Sequence, residues 1–77
     1  MDETKAVKYY KMAAEKGHPQ AQYNLGIMIK KGLGAKRNAG MARKWFQKAA
    51  AQGLGAAQKI LDAEKSTVAR ANSAKPD

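Results

Sequence analysis

The run Ala13-Ala14-Glu15-Lys16-Gly17-His18-Pro19-Gln20-Ala21-Gln22 decides the fold, because it returns 36 residues later as Ala49-Ala50-Ala51-Gln52-Gly53-Leu54-Gly55-Ala56-Ala57-Gln58. In each copy a glycine separates two alanine-bearing segments. Gly17 and Gly53 suit the left-handed position that ends a helix, and Pro19 suits the first turn of the next, where its missing amide proton costs nothing. Extending the shift outward superposes Ala6 on Ala42, Lys8 on Lys44 and Leu25 on Leu61, so eight of the twenty positions from Ala6 to Leu25 are identical. Tyr9 and Tyr10 fall on Trp45 and Phe46, and the capping candidate Asp2 falls on Asn38. A fixed period of this length marks stacked helical units.

Each unit reads as two helices. Apolar residues recur at Ala6, Tyr10, Ala13 and Ala14, one face of a 3.6-residue period. That face is expected to pack on a second helix through Ala21, Leu25, Met28 and Ile29. Gly26 within this helix permits close backbone approach, which must offset the cost of a helical glycine, about 0.5–1 kcal/mol against alanine. The second unit repeats the pattern with Ala42, Phe46, Ala49, Ala50, Ala57 and Leu61. The resulting division is a first repeat over 2–37, with helices over about 3–16 and 19–31, and a second over 38–70, with helices over about 39–52 and 55–70. Gly32-Leu33-Gly34-Ala35-Lys36-Arg37 reads as a flexible connector, and 71–77, with Asn72, Ser73 and Pro76, as a disordered tail.

The combination of helical alanines, an aromatic pair and turn glycines at fixed offsets, from Ala6 through Gly17 and Leu25-Gly26 to Gly32 and Gly34, resembles the Sel-like repeat, a relative of the tetratricopeptide repeat. The copy from Ala42 through Trp45-Phe46 and Gly53 to Leu61 is similar. The resemblance covers about residues 2–61 and implies an all-α protein, a right-handed α/α superhelix of four helices in two helix-turn-helix repeats. It also implies an adaptor whose concave surface is lined by the first helices. After Leu61 the pattern lapses: Asp62 stands where the first copy has Gly26, and Ala63-Glu64-Lys65-Ser66-Thr67 replaces the glycine connector. The last helix therefore reads as a polar cap, as solenoid ends require for solubility. The first helix has no such cap, which leaves Ala6 and Tyr10 on an open face.

Fifteen Lys plus Arg against six Asp plus Glu give a net charge of +9, which favours acidic partners. On a helical wheel Lys5, Tyr9, Met12 and Lys16 form a stripe beside the core face, and Met41, Trp45, Lys48 and Gln52 form its counterpart. These are the candidate partner-binding residues, since aromatic anchors with cationic neighbours suit an acidic or aromatic peptide. The competing reading is that Tyr9 and Trp45 pack between repeats. Lys30, Lys31, Lys36 and Arg37 around the glycine loop would suit a nucleic-acid backbone, the alternative function. No nucleic-acid motif accompanies them, and lysine outnumbers arginine twelve to three where base readout favours arginine.

Catalysis is not expected. His18 is the single histidine, there is no cysteine, and the carboxylates are scattered, so neither a metal site nor a nucleophile with its base can be assembled from the sequence. His18 between Gly17 and Pro19 fits a turn or cap, and Gly32-Leu33-Gly34 lacks the lysine and hydroxyl residue of a phosphate loop. No cofactor is implied. No apolar run approaches a membrane span, and Met1-Asp2-Glu3-Thr4-Lys5 lacks a secretion signal, so a cytoplasmic location is the default unless the chain is a fragment of a longer exported protein.

Two repeats are fewer than the three usually needed for stability. This points to a fragment, a natural end piece, or self-association through the uncapped N-terminal face. The isolated 77-residue chain is accordingly expected to be marginally folded or dimeric. Sedimentation equilibrium giving a monomer, together with a high melting temperature, would refute that expectation.

Overall fold

A computed structural model describes residues 2–74, with side-chain surroundings through residue 64. The described residues form four helices and no strand: α1 (Glu3–Glu15), α2 (Pro19–Lys31), α3 (Ala39–Ala51) and α4 (Gly55–Ala74). Successive helices pack on one another, most extensively α2 on α3. The chain is thus an all-α stack of helical hairpins, as the resemblance implied.

Local chemistry sets the ends. The Asp2 carboxylate accepts from the Thr4 and Lys5 amides at 3.0 and 3.4 Å, and the Asn38 amide oxygen accepts from the Met41 amide at 3.0 Å, so both predicted caps serve orphan donors. At the other end of α1, Gly17 takes φ 95° while its amide donates to the Ala14 carbonyl and the His18 amide to the Ala13 carbonyl. Gly53 repeats this at φ 90°, with bonds to the Ala50 and Ala49 carbonyls. These paired bonds close the helices in Schellman fashion and turn the chain back. His18 holds the cap position of α2 without a side-chain hydrogen bond, and Pro19 opens the helix. α4 continues to Ala74, past the expected end at 70, because neither glycine nor proline interrupts it after Gly55. The last three residues of the expected tail, 75–77, lie outside the described residues.

The core is small and built on alanine. Ala14, Ala21, Leu25, Ile29, Ala42, Phe46, Ala49 and Ala57 are buried, with Val7, Tyr10, Tyr23, Trp45 and Leu61 among those packed around them. Phe46 has no exposed surface, and its ring lies directly over Gly26: a Cβ at that glycine would stand 2.7 Å from Cε1 and 2.9 Å from Cδ1. Tyr23 meets the same ring at 6.0 Å between centroids, tilted by 53°. Tyr10, the equivalent of Phe46 one repeat earlier, remains half-buried because no described helix lies against it as α2 lies against Phe46.

Gln22 is the buried polar residue of this core. Its side-chain amide donates to the Ala14 carbonyl at 3.1 Å, and its oxygen accepts from the Gln52 side chain at 3.1 Å, joining the ends of α1 and α3 across α2. Satisfying both halves of the amide turns a burial penalty into a fixed register.

The connector 32–37 is anchored rather than a free strap. Gly32 is left-handed at φ 74°, and Gly34, at φ 73°, sits so close to the start of α1 that a Cβ would collide with the Glu3 backbone and stand 2.9 Å from the Thr4 nitrogen. The Asn38 amide then donates to the Ile29 carbonyl at 3.2 Å. At the far end of the stack, Glu64 of α4 lies 3.5 Å from Lys30 Nζ and 3.6 Å from Arg43 Nε, linking α2, α3 and α4. Asp62 is exposed and accepts from Gln58 at 2.9 Å, so the position of Gly26 in the second copy carries a solvated carboxylate instead of a seat for another ring.

Two glycine-to-alanine substitutions should therefore act with opposite sign. Gly26→Ala forces a methyl into the Phe46 ring and is expected to destabilise the chain by about 1–3 kcal/mol. Gly40→Ala, whose new Cβ would stand 3.6 Å from Asn38 Oδ1, an ordinary contact, is expected to stabilise α3 by up to about 1 kcal/mol. Urea unfolding followed by circular dichroism checks both, and equal signs would contradict the packing described.

Candidate functional site

A groove of about 460 Å³ opens between α1 and α3. Leu25 and Ile29 of α2 contribute the apolar surface at its base, Val7 stands on the α1 wall, Met41 and Trp45 stand on the α3 wall, and Ala35 closes the connector end. These positions follow from helical phase: Val7 lies near the buried stripe of α1, whereas Met41 and Trp45 flank the buried Ala42 and Phe46 on α3.

The charged residues lining the groove are Lys11, Lys36, Lys44 and Lys48, and no carboxylate is among them. Lys11 comes from α1, Lys36 from the connector, and the other two from α3, so positive charge stands on both walls. Lys48 Nζ stands 4.7 Å from the centroid of the Trp45 ring, a cation–π contact that holds the ammonium beside the apolar wall. An apolar base with cationic rims fits a ligand carrying an apolar side chain flanked by negative charge.

Of the eight candidate residues, five line one of two separate depressions. Met41, Trp45 and Lys48 line the α1–α3 groove. Lys5 and Tyr9 do not; they lie on the other flank of α1, around a shallower depression of about 400 Å³ with Asp2, Ala6 and Tyr10. Met12 is exposed, and Lys16 is the solvent-exposed residue that ends α1. The division is geometric: a helix between two grooves gives one flank to each, so the α1 residues equivalent to the α3 wall face away from α3. Gln52 leaves the stripe because its side chain is bonded to Gln22.

Tyr9 stands outside the core, whereas Trp45 packs against its edge. Tyr9 is 68% exposed and Trp45 half-buried, while their neighbours Tyr10 and Phe46 turn inward. Sequence reading missed Val7 and Lys11: they sit on the opposite flank of α1 from Tyr9, and only the packing of α3 shows that the adjacent repeat lies on that side. It also missed Gln22, although its recurrence at Gln58 in the repeat was visible. Of the loop cations considered for a nucleic-acid backbone, Lys30 is drawn to Glu64 and Lys36 lines the groove. Among the described residues no cluster of three or more His, Asp or Glu is placed to hold a metal, and no helix is long and apolar enough to cross a membrane.

Comparison with known proteins places this architecture. The Sel1 repeat family model matches residues 2–18 and 19–54. Its frame cuts the chain at the Gly17 turn, so that α2 and α3, the most extensively packed pair, form one whole unit, half a period out of phase with a division at 37 and 38. Similar proteins include DAP3-binding cell death enhancer 1 of Rattus norvegicus, 51% identical over 61 residues covering 79% of this chain and 12% of that protein. The Mus musculus protein of the same name is 53% identical over 53 residues, 69% of this chain and 10% of its own length. Chitin synthase regulator SKT5 of Saccharomyces cerevisiae is 43% identical over 49 residues, 64% of this chain and 7% of its own. The chain thus spans about a tenth of the length of the two mammalian relatives. The doubled motif, the stacked hairpins and the extent of the family match together establish that this chain belongs to the Sel1 repeat family.

Proposed function

We propose that this chain is a protein-interaction module that holds an acidic segment of a partner protein in the α1–α3 groove. One observation carries the reading: four lysines and no carboxylate line an apolar groove in which Trp45 is accessible. Apolar surface provides affinity by burial, and the lysines provide orientation and rapid encounter. The relatives' names, a DAP3-binding protein and a chitin synthase regulator, agree with a role exerted on other proteins. The catalytic alternative has no residue constellation in its favour.

Trp45 is the sole tryptophan, which makes the groove self-reporting. An acidic peptide with a leucine at its centre is expected to shift Trp45 emission on titration, whereas a lysine-rich peptide of the same length should leave it unchanged. The double variant Lys11→Glu/Lys44→Glu should weaken acidic-peptide binding by about tenfold or more with an unchanged helical circular dichroism signal. Part of the affinity should persist at high salt, because apolar burial is not screened. Equal binding of both peptides, or complete loss of binding in salt together with tight binding of single-stranded nucleic acid, would overturn the reading.

A further inference from the structure

We infer that the partner segment continues over α1 and is held at a second anchor point, the Tyr9 flank, so that the ligand is an acidic extended segment with two apolar side chains four residues apart. This rests on the groove reading above. The observation behind it is the internal repeat. The α3 wall of the groove carries Met41, Lys44, Trp45 and Lys48, and the equivalent positions of α1 are Lys5, Lys8, Tyr9 and Met12. Each set consists of two lysines, one methionine and one aromatic residue. Methionine and lysine exchange places between the copies, so the chemistry is kept where residue identity is not.

The α1 set is exposed. Tyr9 is 68% and Met12 50% accessible, and Lys5 and Tyr9 border the depression of about 400 Å³ beside Ala6 and Tyr10. Asp2, the carboxylate at its edge, is engaged by the Thr4 and Lys5 amides as the α1 cap. Lys5 is the cation lining this depression, and Lys8 stands exposed on the adjoining ridge of α1. A further helix against Ala6 and Tyr10 would deepen this depression rather than fill it, as α1 does for Trp45.

Geometry sets the spacing of the anchors. Passing from the α1–α3 groove to the Tyr9 flank means crossing one helix, whose diameter with side chains is about 10–12 Å. An extended chain advances about 3.3 Å per residue and places side chains on the same side at even intervals, so residues four apart span about 13 Å and point the same way. Met12 and Lys8 lie on the ridge between, where acidic residues of the ligand would pass.

The test uses fluorescein-labelled peptides and anisotropy with the full chain. The two-anchor peptide is Glu-Leu-Asp-Glu-Asp-Leu-Glu; the controls replace either leucine by alanine, or set the leucines two residues apart at constant composition. The two-anchor peptide is expected to bind about tenfold tighter than any control, the return expected from burying one more leucine. Tyr9→Ala should abolish that advantage while leaving single-leucine peptides unchanged, and Trp45→Ala should weaken all of them. If Tyr9→Ala leaves the two-anchor peptide unaffected, or the spacing control binds equally well, the second anchor is wrong and the groove reading survives. If Trp45→Ala affects none of them, or none binds the unmodified chain, the groove reading fails and the second anchor with it. Circular dichroism separates a binding loss from unfolding, and the exposure of Tyr9 makes its substitution the safer arm.

Discussion

The Phe46 ring rests on Gly26, and the approach of α3 to α2 is set by that contact. A glycine in a helix lowers local stability, so its presence makes sense only where absence of a side chain permits packing that a methyl would prevent. Here it admits the whole edge of a phenyl ring. With Phe46 seated, Ala42 and Ala49 are brought flush against α2, Tyr23 closes over the ring, and the α2–α3 pair becomes the best-packed part of the chain. That pair is also spanned by the family match over residues 19–54.

The groove is a consequence of this arrangement. Once α3 is fixed on α2 by its inward residues, the next positions around the helix, Met41 and Trp45, stand at the edge of the interface with part of their surface open. On α1 the same logic acts in reverse phase, bringing Val7 and Lys11 to the facing wall. The Gln22 amide and the anchored connector hold α1 relative to α3 from opposite ends, one through Ala14 and Gln52, the other through Gly34 against Glu3. The groove is thus formed by the flanks of packed helices together with the connector residues Ala35 and Lys36.

The two copies differ in what their equivalent positions meet among the described residues. Replacing the ring seat by Asp62 removes the feature that would accept another phenylalanine, and Glu64 instead ties α4 to Lys30 and Arg43. At the other end Ala6 and Tyr10 occupy the positions of Ala42 and Phe46 but are only half-buried. The same sequence positions are thus core in one copy and surface in the other, according to what lies beside them.

Much of the architecture was legible in the residues themselves. Glycines at 17, 32 and 53, proline at 19 and caps at 2 and 38 act over one or two turns, so their effect is local and the four helices could be located from them. The 36-residue period determined that the units stack, and the lapse after Leu61 was visible as a change of residue type. The length of α4 was misjudged because polar residues without glycine or proline weaken a helix without stopping it. What only the tertiary structure decided is which flank of each helix meets which neighbour. A helical wheel groups Lys5, Tyr9, Met12 and Lys16 with one another and Met41, Trp45 and Lys48 with one another, but it carries no information on the side from which the next repeat approaches. That side is chosen by packing between residues distant in sequence, above all Phe46 on Gly26, and it leaves Met41, Trp45 and Lys48 of α3 facing the groove on one side of α1 and Lys5 and Tyr9 on its other side.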